Sequence, residues 1–205
     1  MYCISSHPSN RYKYAVMDYD YYKAEGFICN RCGRDAQKLQ LLHWPPVIRL
    51  EGGKRYPDHL SISVPFGDRC GFIVSEKALS VFQNEQLSGF EAEPIGITGS
   101  DSDLPKYYFL TVTGTISLDY NAMHYRKKNV CPECGSFRWS RQKVGESVLD
   151  HSTWSQSDFC KLVDYPNLFL CTQKVVDAIR SNNLKGFTMR MESEIFLPLK
   201  SVKIC

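Results

Sequence analysis

Two Cys-x-x-Cys-Gly motifs are the residues of this sequence most suited to chemistry. "FICNRCGR" contains Cys29 and Cys32, and "NVCPECGS" contains Cys131 and Cys134. Two intervening residues let both thiolates of a motif face one point, and the following Gly reaches the positive φ that such a turn needs. Because structural Zn²⁺ takes four ligands in a tetrahedron, we expect these four cysteines to hold one Zn²⁺ per chain. Such a site is closed and has no open position for activating water.

Two other interpretations of the motifs stay open. In the first, each motif belongs to a separate metal site that other residues complete. The candidate residues for those sites are His43, His59, His124, His151, Cys3, Cys70, Cys160, Cys171 and Cys205. In the second, the motifs are redox pairs, which usually lie where a helix begins and its N-terminus lowers the thiol pKa. "CNRCGRDAQKL" could begin a helix, whereas "CPECGSFRWSR" is more typical of a turn that enters a strand.

The two motifs are separated by 98 residues (131 − 32 − 1), and an internal repeat offers a way to bring them together. "FIVSEKALSVFQNEQLSGFE" begins at Phe72 and aligns without a gap with "FLCTQKVVDAIRSNNLKGFT", which begins at Phe169, at an offset of 97 (169 − 72). The cysteine motifs repeat at a similar offset of 102 (131 − 29). Two features with nearly equal spacing indicate a duplicated unit of about a hundred residues. The alternative is chance similarity between two amphipathic helices.

The repeated segment predicts a strand, a helix and a second strand. Ser75 or Thr172 follows a short apolar run and supplies an N-cap hydroxyl. Gly89 or Gly186 follows the last helical turn, where a flexible residue lets the chain reverse. The helices show apolar stripes at helical spacing, formed by Ala78, Leu79 and Phe82 in one copy and by Val175, Val176 and Ile179 in the other. We read both stripes as core.

The expected fold class is α+β, with mostly antiparallel sheet and two related strand–helix–strand halves joined by a pair of structural zinc knuckles. The whole chain, 1–205, is expected to form a single domain, with halves of roughly 1–103 and 104–205. Residues 107–120 predict a strand pair or one long bent strand, and residues 59–66 alternate as a half-buried strand. Residues 93–106 are rich in Gly, Ser, Asp and Pro and predict the connection between the halves.

Composition favours a protein of the reducing cytoplasm. The chain has 205 residues, of which 43% are hydrophobic, and a formal net charge of +3. Nine cysteines are an odd number, and no apolar leader precedes them, which argues against a secreted disulfide framework. No stretch approaches the ~20 apolar residues of a membrane span, so we expect no membrane partner.

We expect no catalysis, because the sequence has no phosphate-binding Gly-rich loop, nucleophile elbow or His-Glu-x-x-His pattern. Nucleic-acid binding is the alternative function. Basic and aromatic residues alternate around the second motif at Tyr125, Arg126, Lys127, Lys128, Phe137, Arg138, Trp139, Arg141 and Lys143. Cations can neutralise phosphates while aromatic rings stack on bases. The same cations would also relieve the negative charge of a four-thiolate zinc.

Motif order resembles that of a known family. The two CxxCG motifs, the segment from Phe72 and "SDFCKLVDYPNLFLCTQKVVDAI" together resemble the double-CXXCG motif proteins, which are bacterial and occur as many paralogues in myxobacteria. Some of them look like immunity proteins paired with toxins. The resemblance runs from about Gly26 to Phe187 and implies that Cys29, Cys32, Cys131 and Cys134 are the metal ligands. It also implies a cytoplasmic protein that binds and neutralises a cognate toxin, through contact residues that the resemblance does not identify.

Overall fold

The described part of the chain consists mainly of strands, with two nine-residue helices and two shorter ones. The computed structural model describes residues 1–6, 10–17, 22–28, 30–31, 35–41, 44–62, 70–98, 104–119, 127–128, 131–133, 138–139, 149–163 and 165–195. In chain order the elements are β1 (Tyr2–Ser6), β2 (Lys13–Met17), β3 (Tyr22–Ile28), β4 (Asp35–Leu41), β5 (Val47–Gly52), β6 (His59–Ile62), β7 (Gly71–Ser75), α1 (Glu76–Asn84), β8 (Phe90–Pro94), β9 (Gly96–Thr98), β10 (Tyr107–Val112), β11 (Gly114–Leu118), β12 (Lys127–Lys128), β13 (Arg138–Trp139), β14 (Leu149–Asp150), a 3₁₀ helix (His151–Thr153), β15 (Phe159–Leu162), β16 (Tyr165–Cys171), α2 (Gln173–Ser181), β17 (Phe187–Met191) and α3 (Glu192–Ile195). The predicted α+β class is confirmed.

Two mixed sheets, both rich in antiparallel pairs, contain most of these strands. One has the order β8-β10-β7-β6-β2-β5-β9 and the other the order β14-β11-β15-β16-β1-β17. Parallel pairing occurs between β2 and β6, between β5 and β9, and between β11 and β15. The two remaining pairs, β3 with β4 and β12 with β13, form separate antiparallel ribbons.

The repeated segments fold alike in detail. Both helices have nine residues, and their first residues, Glu76 and Gln173, are 97 positions apart (173 − 76). Strand β6 pairs with β7 through His59 and Val74, and β15 pairs with β16 through Phe159 and Cys171. The predicted strand–helix–strand order is present at both places.

A strand from elsewhere in the chain completes the sheet beside each helix. Strand β10 lies between β7 and β8, and β1 lies in the corresponding place between β16 and β17. Only Thr113 separates β10 from β11, yet the two strands belong to different sheets. The predicted strand pair at 107–120 is therefore present, but its members do not pair with each other. The six-stranded sheet thus combines β1, from the start of the chain, with strands that begin only at Gly114.

Helix starts differ between the two copies. Ser75 caps α1 as predicted, because its hydroxyl oxygen accepts a hydrogen bond from the backbone amide of Ala78 at 3.2 Å. The predicted cap by Thr172 is wrong, since that side chain makes no cap hydrogen bond to α2. Its hydroxyl instead donates to Oδ1 of Asp158 at 2.8 Å.

The two predicted helix-ending glycines have another role. The helices end at Asn84 and Ser181, and the left-handed residues that follow are Gln86 (φ 50°) and Asn183 (φ 52°). Gly89 has φ 89° and lies so close to a neighbouring chain segment that an added Cβ would be 2.2 Å from the carbonyl oxygen of Phe159. A Cβ added at Gly186 would likewise be 2.6 Å from the carbonyl oxygen of His59. Both positions need glycine because backbone from the other repeated segment passes there.

Both helix stripes are buried in one hydrophobic cluster, as predicted. Ala78, Leu79 and Phe82 of α1 and Val175, Val176 and Ile179 of α2 are at most 7% exposed and belong to this cluster. Rings from both segments meet there, since the Phe82 and Phe159 centroids are 5.2 Å apart. The two sheets therefore share a core.

One expectation about a connecting segment is wrong in part. Residues 93–106 were expected to form the connection between halves, but β9 lies within them and pairs in parallel with β5, as Ile48 with Ile97. Its three residues extend the seven-stranded sheet at its edge. Residues 99–103 lie outside the described residues.

Two aspartates link the repeated segments reciprocally. Asp58 precedes β6, and its carboxylate accepts from the Ser75 hydroxyl at 2.7 Å and from the backbone amide of Lys185 at 2.7 Å. Asp158 precedes β15, and its carboxylate accepts from the Thr172 hydroxyl at 2.8 Å and from the backbone amide of Ser88 at 3.0 Å. Each aspartate thus joins the start of one helix to the chain that leaves the other helix. We call these contacts the aspartate clasp.

His59 occupies the place in β6 that Phe159 has in β15. Its ring lies 4.8 Å from that of Phe187 and 5.1 Å from that of Phe72, measured between centroids. The side chain is buried, and its Nδ1 has no hydrogen-bond partner among the described residues. Burial lowers the pKa of His59 to about 3. The residue is therefore a neutral member of the aromatic core.

The aspartate clasp predicts an effect on stability. We expect Asp58→Asn to lower the free energy of unfolding by about 2 kcal/mol, because an amide has one acceptor oxygen and leaves one of the two donors unpaired. Asp158→Asn should act in the same direction, and more weakly because Asp158 is half-buried. Urea unfolding at pH 7 measures both. Glu91→Gln, an exposed change on edge strand β8, is the control and should have little effect. Wild-type stability in both aspartate variants would contradict the clasp.

The buried His59 predicts an acid-sensitive fold. An unfolded histidine has a pKa near ~6.5, so between that pH and 3 the unfolded chain takes up a proton that the folded chain does not. Stability from this group is present above pH ~6.5 and falls by about 1.4 kcal/mol per pH unit as the pH decreases. We expect His59→Phe to remove that part of the slope in urea unfolding between pH 7 and 4.5. His151→Gln, at an exposed histidine, should keep it. An unchanged slope in His59→Phe would contradict the prediction.

Candidate metal centre

The first cysteine motif comes, in the chain, between two paired strands. Strands β3 and β4 pair antiparallel, and their register ends with Ile28 opposite Asp35. The connecting residues include Asn30 and Arg31, which form an exposed turn. A short antiparallel connection brings the two ends of the motif close together, which a metal held by both cysteines of a motif requires.

The second motif has the same setting. Strands β12 and β13 pair antiparallel with Lys128 opposite Arg138. Cys131 lies in the connection and is 5% exposed, whereas the turn residues Pro132 and Glu133 that follow it are exposed. A buried cysteine before an exposed two-residue turn is the arrangement expected where both cysteines of a motif bind one metal ion.

Both ribbons leave the sheets at equivalent places. Strands β3 and β4 are inserted in the chain between β2 and β5, which are antiparallel neighbours with Met17 opposite Ile48. Strands β12 and β13 are inserted between β11 and β14, which are antiparallel neighbours with Leu118 opposite Leu149. Each motif is therefore attached to the same end of a corresponding strand pair.

Of the four predicted ligands, the structure places Cys131. Cys29, Cys32 and Cys134 lie outside the described residues. Within the described residues, no group of three His, Cys, Asp or Glu side chains is arranged to hold a metal ion. The centre formed by the four cysteines stays a prediction.

The elements after the motifs do not match a redox pair that begins a helix. Residues "DAQKLQL" after the first motif form β4, so the expectation that this motif could begin a helix is wrong. Arg138–Trp139 after the second motif form β13, as its sequence suggested. In the described residues, the first element after each motif is a strand and not the helix N-terminus that lowers the thiol pKa of a redox pair.

The alternative metal ligands that are described lie mainly in the core. Burial raises the pKa of Cys3, of Cys160 and of Cys171, the last to about 12. Cys160 and Cys171 are fully buried. Such thiols stay neutral and do not favour metal, which binds thiolate. Cys70 is buried and His151 is exposed in the 3₁₀ helix, while His43, His124 and Cys205 lie outside the described residues.

A cleft that no sequence motif indicated lies at the opposite end of the β2–β5 pair. It has a volume of about 750 Å³ and is lined by Asn10, Arg11, Tyr12, Tyr14, Gly52, Gly53, Lys54 and Arg55. Its two lining segments are some forty residues apart in the chain, so no local pattern could reveal it. One lining segment, "GGKR" at residues 52–55, has a recognisable composition: a glycine pair that permits close backbone approach, followed by two cations.

No family model matches the sequence, and no curated protein matches it either. The resemblance to the double-CXXCG proteins therefore stays a prediction that rests on motifs and their order. In the described part of the chain, no helix has the length and apolar composition needed to cross a membrane.

Proposed function

We propose that this protein is a zinc-stabilised, non-catalytic binding protein of the bacterial cytoplasm that neutralises a cognate toxin, as an immunity protein does. The observation that carries the proposal is that each Cys-x-x-Cys motif comes, in the chain, between two strands that pair antiparallel. Strands lie on both sides of each motif, which suits a metal knuckle. The motif resemblance to the double-CXXCG proteins supplies the toxin as the partner.

The residues fit one structural zinc. Cys29, Cys32, Cys131 and Cys134 would supply four thiolates, and bound zinc would supply a cross-link between the two ribbon tips. The equivalent attachment of the ribbons, one between β2 and β5 and the other between β11 and β14, supports such a shared site. It also supports the division of the chain into two related halves, roughly 1–103 and 104–205.

A binding function suits the scaffold that the structure describes. Strand β1 lies in the sheet of the second repeated segment, and the aspartate clasp joins the two segments. Together they give rigid support for surface loops. Binding residues are commonly carried by loops that a rigid scaffold positions. A partner can then be held without reorganising the protein, which favours affinity.

A shared site predicts one zinc per chain. Cys29→Ser and Cys131→Ser should each lose all of the zinc, because either change removes one of four ligands from the same ion. Elemental analysis of the purified protein measures the zinc content per chain. Cys3→Ser is the matched control and should retain it. Two zinc ions per chain, or half of the metal left after one substitution, would contradict the shared site and favour two.

Immunity predicts protection in cells. Co-expression of the wild-type protein with the toxin encoded beside its gene should restore growth, because the proposed function is to bind and block that toxin. Growth of cells carrying the toxin alone and of cells carrying an inactive toxin gives the two reference levels. Cys131→Ser should protect less, as zinc loss weakens the scaffold.

Absence of protection would contradict the immunity function. Nucleic-acid binding is then the second candidate, because Lys127 and Lys128 lie opposite Trp139 and Arg138 on the ribbon of the second motif. It requires that the wild type binds a single-stranded oligonucleotide with affinity that falls steeply as salt rises. Lys127→Glu/Lys128→Glu should abolish that binding.

A further inference from the structure

The cleft at the end of the β2–β5 pair is fixed by backbone hydrogen bonds. The amide of Lys13 donates to the carbonyl of Arg55 at 2.8 Å, and the amide of Arg55 donates to the carbonyl of Arg11 at 3.1 Å. A third bond joins Gly53 to Tyr12 at 3.1 Å. The backbones are so close at Gly53 that an added Cβ would be 2.3 Å from the carbonyl carbon of Arg11. The two walls of the cleft therefore hold a set geometry.

The charge around the cleft is positive. Arg11, Lys54 and Arg55 are exposed at its rim. The neighbouring acid, Glu51, accepts a hydrogen bond from Nε of Arg49 at 2.9 Å and another from the Tyr14 hydroxyl at 3.3 Å. Because Arg49 offsets the charge of Glu51, Lys54 and Arg55 give the described part of the rim a positive charge that attracts a negatively charged ligand.

An aromatic side chain lies beside these cations. Tyr14 lines the cleft and is 37% exposed. Tyrosine and arginine are the residues that most often dominate the energy of protein–protein contacts.

The corresponding end of the β11–β14 pair is filled. The 3₁₀ helix follows β14 directly and packs on β11, where the Thr153 hydroxyl accepts from the amide of Ser117 at 2.9 Å. The Ser155 hydroxyl accepts from the amide of Thr115, also at 2.9 Å. The same sheet position is thus closed by neutral residues in one segment and open and basic in the other.

We propose that the cleft between residues 10–14 and 52–55 is the docking site for an acidic segment of a partner protein. Carboxylates of that segment would meet Lys54 and Arg55, and an apolar or aromatic side chain of it would pack on Tyr14. That the partner is the toxin rests on the proposed function. The preference of the cleft for an acidic peptide does not.

The geometry favours an acidic protein over a nucleic acid. A nucleic acid needs cations spaced along a backbone track and open ring faces on which bases stack. Here Lys54 and Arg55 are consecutive residues at one concavity, not cations spaced along a track. A compact acidic segment matches this arrangement better than an extended chain of phosphates.

A fluorescein-labelled twelve-residue peptide of Glu, Asp and two Tyr tests the site by fluorescence anisotropy. The wild type should bind it, and Lys54→Glu/Arg55→Glu should weaken binding by about tenfold or more, since two attractions become repulsions. The matched control is Lys77→Glu/Arg180→Glu, which makes the same charge change at exposed helix positions. It should change the affinity by less than about twofold. Thermal unfolding verifies that both variants are folded.

Three results would overturn the proposal. The first is no binding of the peptide by the wild type, and the second is equal loss in the cleft variant and the control. The third is tighter binding of a twelve-nucleotide single strand that the cleft variant abolishes, which would assign the cleft to nucleic acid. The growth assay separates this proposal from the immunity function. Selective peptide binding without protection would support the cleft as an acidic-peptide site and contradict the toxin as its partner. Protection by a folded Lys54→Glu/Arg55→Glu variant would show that the cleft is not needed for toxin binding.

Discussion

The architecture depends on two carboxylates that each join segments far apart in the chain. Asp58 binds Ser75 at the start of α1 and the backbone at Lys185 beyond α2, and Asp158 binds Thr172 and Ser88 in the reverse sense. A carboxylate can do this because it has two acceptor oxygens and no donor. The donor at Ser75 is buried, so loss of its acceptor would leave that hydroxyl unpaired. The four bonds hold the start of each helix to the chain that leaves the other helix.

Some elements of this fold could be predicted from local sequence patterns. The apolar stripes of α1 and α2 and the strands on either side of them could be predicted, because helical and strand periodicities are properties of a few consecutive residues. The Thr172 cap and the role of Gly89 could not. Thr172 donates to Asp158 rather than capping, and Gly89 is required by the passing backbone of Phe159. Both depend on contacts between residues distant in sequence.

The position of β1 in the six-stranded sheet and the cleft could not be predicted from the sequence for the same reason. Nothing local to β1 indicates that it pairs with β16 and β17, at the other end of the chain. The cations at Arg11 and Arg55 became neighbours only through the pairing of Tyr12 with Arg55. The cysteine motifs could be recognised because the spacing within each motif suits metal binding. That spacing does not show whether the two motifs share one metal ion.

Comparison of equivalent positions separates scaffold from binding surface. Where the two segments keep the same chemistry, as at Asp58 and Asp158 or Gly89 and Gly186, the residues hold the segments together. The basic end of β2–β5 differs from the filled end of β11–β14, and the ribbon with the first motif leaves from the other end of the same strands. The proposed metal clamp at one end would therefore stiffen the strands that line the cleft at the other end, without itself contacting a ligand in the cleft.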